Sequence, residues 1–159
     1  MRRKDRERDE KFALGVIDSA PYGVMALTDE NGEPYAIPLS PVRIGGFLYF
    51  HSAHEGTKND IIKNNPKAVV TFADNVAPAE NEFTTGYDSA IVKGTVTEIT
   101  DEKEKIEALR MLSERYCPAN MERFDKAIEK SLKITAIFKM SMDEVTGKQK
   151  VLTKHDDHS

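Results

Sequence analysis

The groups in this chain that could do chemistry are concentrated in residues 51–58, His51-Ser-Ala-His-Glu-Gly-Thr-Lys58. Gly56 can take backbone angles closed to other residues. Thr57 is the expected N-cap of a short helix, its hydroxyl accepting from an orphan backbone N–H. Ile61 and Ile62 give that helix its inward residues, and Pro66 ends it. A helix start here sets free N–H groups and a positive dipole end beside Ser52, Thr57 and Lys58, which is the chemistry of a phosphate seat. It is not a Walker A loop, because the spaced glycine upstream of the Gly-Lys pair is missing. A surface lysine on a capped helix is the plainer reading of the same residues.

Other chemistries find less support. No nucleophile elbow surrounds Ser52, and no Gly-x-Gly-x-x-Gly motif announces a dinucleotide-binding domain. His51 and His54 lie three apart with Glu55 adjacent, but Cys117 is remote in sequence, so no zinc site is expected. His155 and His158 lack a third ligand beside them. His51 ends an aromatic strand; it is read either as a structural histidine or as a group lying against a bound cofactor. Cys117, before Pro118, is read as structural.

The elements that must position these residues follow from pattern. Residues 1–10 are a dense charge run, expected to be solvated. A helix begins at Asp9, with Phe12/Val16 and Ala13/Ile17 paired four apart, and ends at Pro21. Tyr22 to Thr28 reads as a strand, Asn31-Gly32 as a hairpin turn, and Tyr35 to Ile44 as the next strand. Pro34, Pro38 and Pro41 confine that second strand to an edge or to bulges, leaving backbone groups free for a ligand or simply protecting the edge. Gly45-Gly46 then turns into Phe47–Ser52, which completes an expected three-stranded meander. Lys67–Phe72 is a strand, 73–82 a polar loop, and Phe83–Ile99 one long strand bent at Gly94. Asp101 with Glu104 opens a helix to Tyr116 in capping-box fashion. A second helix runs from Asn120 to Leu132 with Met121, Phe124 and Ile128 on one stripe. Ile134–Met142 is the last expected strand, and 143–148 a turn. Six or seven strands with flanking helices, joined by tight turns, predict an α+β domain on a small antiparallel barrel over residues 1–150, with 151–159 a disordered tail.

The whole-chain quantities are consistent with that. With 159 residues, 39% apolar and 31% charged, the chain is of the size and composition of one globular domain. A net charge of −4 argues against a nucleic-acid partner. No apolar run approaches a membrane span. One cysteine and no signal-peptide pattern lead to the expectation of a reducing, cytoplasmic compartment.

Taken together, several segments resemble the pyridoxamine 5′-phosphate oxidase-related split-barrel flavoproteins, and within them the nitroimidazole-resistance branch. They are Met1-Arg-Arg-Lys-Asp-Arg6, Tyr35-Ala-Ile-Pro-Leu-Ser40, Leu48-Tyr-Phe-His-Ser-Ala53, Glu55-Gly-Thr-Lys58, Asn64-Asn-Pro66, Thr84 to Gly94 and Glu144-Val-Thr-Gly-Lys148. They fall in the family's order along nearly the whole chain.

The resemblance implies FMN bound at a homodimer interface. Its phosphate would rest on Ser52, Thr57 and Lys58, with Ala53 also among the cofactor-binding residues, and its ring edge on the backbone of Pro38, Leu39 and Ser40. The partner chain would contribute from the region of Thr84, Thr85 and Ser89. His51 matches the histidine that the resistance branch sets close to flavin and substrate. The implied activity is flavin-dependent reduction of a small nitroaromatic or related acceptor. The alternative is a carrier or sensor without turnover, with FAD, a deazaflavin or haem as other cofactors of such proteins; His51 or His54 would then be the haem ligand. The acidic C-terminus departs from that of true pyridoxamine-phosphate oxidases, so vitamin B6 oxidation is not expected.

Overall fold

A computed structural model describes residues 3–152. The expected tail from residue 153 on, His155 and His158 within it, and Met1 and Arg2 lie outside the described residues.

In chain order the elements are β1 (Glu7–Arg8), α1 (Glu10–Ser19), β2 (Gly23–Thr28), β3 (Pro34–Leu39), β4 (Val42–Ile44), β5 (Phe47–Ala53) and α2 (Thr57–Asn64). They continue with β6 (Lys67–Ala79), β7 (Thr84–Glu98), α3 (Glu102–Tyr116), α4 (Phe124–Ser131), β8 (Thr135–Ser141) and β9 (Glu144–Lys150). The class is α+β, and every strand pair is antiparallel.

The strands run in the order β3-β2-β6-β7-β8-β5-β4, with β9 also on β7 and β1 on β9. The two ends of that path, β3 and β4, are consecutive in the chain and joined only by Ser40 and Pro41. The ring of strands is therefore open at that point: a two-residue link, and no ladder, joins its ends. This is a split barrel, and the split falls at Leu39–Val42.

Local chemistry explains most of the elements. Asp9 caps α1 by accepting from the Phe12 N–H at 2.8 Å, and Asp101 caps α3 through the Glu104 N–H at 2.8 Å. Asp29 Oδ1 accepts from the N–H groups of Asn31 and Glu33, and Gly32 takes φ +85 to close the β2–β3 hairpin. The inner core gathers Ile17 from α1, Met25 from β2, Phe50 from β5, Ile61 and Ile62 from α2, Phe72 from β6, and Phe138 and Met140 from β8. Phe50 and Phe138, paired across β5 and β8, stack at 5.5 Å. A second core on the other face of β5 and β8 packs Tyr49, Ile99 and Ile137 under Ala108 and Leu112 of α3. The Tyr49 hydroxyl donates to Glu104 at 3.1 Å, as does Lys139 at 2.8 Å, which ties α3 to both strands. Burial, then Glu104, push the Tyr49 pKa up to about 12.

Several expectations need correction. The span Tyr35–Ile44 is two strands, because Pro41 breaks the ladder; β3 pairs with β2 and β4 with β5, so the three do not form a meander. The edge position expected from the prolines does hold for β3, which among the described residues pairs with β2 alone. The expected loop 73–82 is mostly strand: β6 runs on to Ala79 past a bulge between Asp74 and Ala77, where Asn75 takes φ +49. The expected second helix from Asn120 starts as a 3-10 turn, Pro118–Arg123, before α4. The expected turn at 143–148 is β9, paired with β7 from Tyr87 to Lys93. Part of the charged N-terminal run is also ordered, because β1 pairs with β9. Among the described residues nine strands result where six or seven were expected.

Gly94 does mark a bend. At that point β7 leaves β9 and takes up β8 as partner through Val96–Glu98. A Cβ on Gly94 would lie 1.7 Å from the Ser141 carbonyl oxygen, so only glycine lets the two backbones pass.

Candidate functional site

The free half of β5 is the starting point. β4 covers Phe47, Leu48 and Tyr49 and then ends, so on that side residues 50–53 face the split with no strand partner among the described residues. Because side chains alternate along a strand, the two faces of this half carry different chemistry. Phe50 and Ser52 turn toward α2, and His51 turns toward α3 and α4.

On the α2 side the loop 53–56 is held by Asn59, a residue only 2% exposed. Its Nδ2 donates to the Ala53 carbonyl at 2.7 Å, and its Oδ1 accepts from Ser52 Oγ at 3.3 Å. Sequence reading missed Asn59. The available signal was a polar residue three positions before Ile62, on the inward side of a short helix.

Thr57 is not the N-cap of α2. Gly56 is, at φ +132, and no side chain among the described residues caps this end. Asn59 and Asp60 donate to the Gly56 carbonyl, whereas the N–H groups of Thr57 and Lys58 meet no acceptor among the described residues. The correction strengthens the seat, because a threonine cap would have used one of the donors an anion needs. Lys58 is half-buried with its Nζ 5.6 Å from the centre of the Phe50 ring. Burial lowers its pKa from the usual lysine value, and no carboxylate among the described residues pairs with it. An uncapped helix start beside an unpaired, half-buried ammonium suits a phosphate ester.

On the other face, His51 and Ser40 open into one cavity of about 430 Å³ beneath α3 and α4. His51 is solvent-accessible but walled by protein; this desolvation, and then the Lys58 charge, lower its pKa from the ordinary histidine value. The imidazole has no hydrogen-bond partner among the described residues. His54 differs: Nε2 lies 3.2 Å from the Lys133 carbonyl and Nδ1 3.9 Å from Glu98. The Tyr116 hydroxyl donates to the Pro41 carbonyl at 2.7 Å and so fixes the Ser40–Pro41 link against α3. Cys117 is exposed at the end of α3 and lines the cavity too.

Among the expected site residues, Ser52, Ala53, Thr57 and Lys58 therefore meet at the start of α2, and Ser40 with His51 at the cavity. Pro38 and Leu39 lie on the adjoining edge strand, opposite Val24 and Gly23 of β2. Thr84, Thr85 and Ser89 do not line the cavity. They sit on β7, paired with Ala79, Pro78 and Ala73 of β6. Among the described residues, no group of three His, Cys, Asp or Glu is placed to hold a metal ion, and no helix is long and apolar enough to cross a membrane.

A family model described as pyridoxamine 5′-phosphate oxidase matches residues 9–149. The chain belongs to that family. No curated protein matches it by sequence. Among solved structures, a candidate 5-nitroimidazole antibiotic resistance protein from Bacteroides thetaiotaomicron is 26% identical, covering 89% of this chain and 84% of its own, with a TM-score of 0.76. A flavocytochrome from Azotobacter vinelandii shares 23% identity over 99% of this chain and 75% of its own, at a TM-score of 0.81. An FAD- and haem-binding protein from Mycobacterium smegmatis shares 22% identity over 91% and 73%, at 0.77. The split barrel is thus common to all four.

Proposed function

We propose that this protein binds a flavin nucleotide, FMN in the first instance, and uses it to reduce a small nitroaromatic or related acceptor. The observation that carries the reading is the start of α2: N–H groups on Thr57 and Lys58 and the Lys58 ammonium meet no acceptor or carboxylate among the described residues. Haem offers carboxylates but no phosphate, so this seat favours a phosphorylated cofactor. The names of the similar structures, a nitroimidazole-resistance protein and two flavin or haem proteins, support the same class. Ser52 and Ala53 would complete the phosphate seat, held in place by Asn59. The backbone of Pro38, Leu39 and Ser40 would meet the ring edge at the split.

Bound there, a flavin supplies transfer of electrons from a reduced donor to an acceptor. The protein's own part is to hold the phosphate, orient the ring and keep a neutral His51 beside the reacting face.

The site is open in a single chain, and beyond Phe72 and Tyr87 the strands β6 and β7 pair with no strand but each other among the described residues. The tip of this two-stranded ribbon, Phe83, is fully exposed at φ +49, and Val76 on the same ribbon is 59% exposed. A homodimer in which each ribbon, with Thr84, Thr85 and Ser89, covers the other chain's flavin would remove these apolar groups from water.

The deciding experiment is a visible spectrum of the purified protein with mass identification of whatever it releases. Released FMN and oxidation of the reduced protein by a nitroaromatic support the reading. A Soret band turns it toward a haem carrier with His51 as ligand, and flavin that no acceptor reoxidises turns it toward a carrier or sensor without turnover. No uptake of either cofactor overturns it.

A further inference from the structure

No ladder joins β3 to β4 among the described residues, so the width of the split has to be held by other groups. Leu39 is tied to Gly23 of β2 and Val42 to Tyr49 of β5, and the link between them belongs to neither ladder. Side chains from two helix ends bridge this seam. The Tyr116 hydroxyl donates at 2.7 Å to the carbonyl of Pro41, a fully buried residue of the link. Arg115, one position earlier, donates to the carbonyls of Ile17 at 2.9 Å and Ala20 at 2.8 Å, at the end of α1, where a helix runs out of its own donors. Its guanidinium lies 5.0 Å from the centre of the Tyr116 ring, which restricts how the phenol turns. Asp18 in the last turn of α1 accepts from Arg43 of β4, with Nε to Oδ1 at 2.9 Å. These bonds form a circuit from the link to α3, from α3 to α1, and from α1 back to β4. The pyrrolidine ring of Pro41 fixes φ there, so a carbonyl held by Tyr116 leaves the Ser40 peptide little freedom.

We propose that the last turn of α3 is the clasp of the split, and that Tyr116 is a positioning residue for the flavin ring, acting through Pro41 on the backbone of Leu39 and Ser40. The ring's place rests on the flavin reading above, whereas the clasp itself does not. The two ends of the cofactor are then governed separately. The start of α2 sets the hold on the phosphate, and the end of α3 sets the backbone that meets the ring edge. Tyr116 acts at one remove, since its hydroxyl is already spent on Pro41.

Tyr116→Phe tests this, because it keeps the ring packing and removes only the hydroxyl. Hydrogen–deuterium exchange over residues 39–44 of the purified protein is expected to quicken roughly 2- to 12-fold, the contribution of one hydrogen bond. Asp29→Ala serves as the comparison. It loses bonds to the N–H groups of Asn31 and Glu33 at the far end of β3 and should leave exchange over 39–44 unchanged. Unchanged exchange in Tyr116→Phe, or equal quickening in Asp29→Ala, overturns the clasp. The ring is read with FMN and with riboflavin, which has the same ring and no phosphate. Tyr116→Phe is expected to weaken both by the same factor and to shift the absorption bands of the bound flavin, whereas Lys58→Ala weakens FMN alone. Faster exchange with wild-type riboflavin binding and unshifted bands overturns the positioning role and leaves a purely structural clasp. The two readings fail separately. Faster exchange in a protein that takes up neither FMN nor riboflavin upholds the clasp and overturns the flavin reading, and with it the role assigned to Tyr116.

Discussion

At the residue scale, Lys58 and His51 make separable predictions. Lys58 is a half-buried cation lacking a described partner, so its substitution removes little from the empty fold and much from a bound phosphate. Hydrogen bonds to charged groups contribute about 1.5–3 kcal/mol, so Lys58→Ala is expected to weaken flavin binding by roughly 10- to 150-fold, read by fluorescence titration. Thermal stability without flavin should stay close to wild type. His51 carries a pKa below its ordinary 6.5 because of desolvation and the neighbouring ammonium. A histidine with a depressed folded-state pKa binds protons more readily when unfolded, so its neutral state stabilises the fold above pH 6.5 and that contribution fades as pH falls below it. His51→Gln should therefore flatten the fall in melting temperature between pH 7 and 5, and calorimetry across that window checks it. Of these two residues the place of Lys58 in the first turn of a short helix was legible in the sequence, since Gly-Thr-Lys before Ile61 and Ile62 is a local pattern. The uncapped geometry was not legible, because whether Thr57 or Gly56 occupies the cap depends on where the loop is pinned. Asn59 pins it, through bonds to Ser52 and Ala53.

At the element scale, the bend in β7 is the feature most sensitive to a single atom. Gly94 passes the Ser141 carbonyl so closely that a methyl group cannot fit, and the obstacle is backbone that cannot swing aside. Gly94→Ala is expected to cost at least about 3 kcal/mol, measured by urea denaturation, and to disturb the β7–β8 pairing first. Strong local signals identified the helices: the Asp9 and Asp101 caps and the four-residue spacing of apolar groups act within a turn or two of chain. The strand β9 escaped notice for the opposite reason. Glu144-Val-Thr-Gly-Lys-Gln-Lys has one large apolar residue, and its ladder is with β7, more than fifty residues away. The far half of β6 was missed likewise, because Asp74–Ala79 is held by β7 and not by its own composition. The apolar stripes of α3 and α4 read as core, and Leu112 and Phe124 are indeed buried; sequence periodicity cannot distinguish a face packed on protein from one packed around a void.

At the scale of the whole molecule, the two-stranded β6–β7 ribbon yields a prediction about assembly. Sedimentation is expected to give a species of twice the 17.9 kDa chain mass. Phe83→Ser, at a fully exposed tip, should leave the chain folded while weakening association at least about tenfold, with flavin lost in parallel. A monomer holding a full complement of flavin would sink the dimer. By itself the sequence determined the class, the hairpin at Asn31-Gly32, the capped helices α1 and α3, the edge character of the proline-bearing strand and the short helix that follows Gly56. All of these are settled by backbone preferences and near neighbours. Only the tertiary structure decided that Pro41 divides the strand and sets β3 and β4 at the two ends of an open ring, that Ser40 and His51 share a cavity under α3 and α4, and that His51 faces away from Ser52. Those facts rest on ladders between distant strands and on which face of β5 each layer covers. Burial of apolar area, which is not directional, and long-range pairing decide them together.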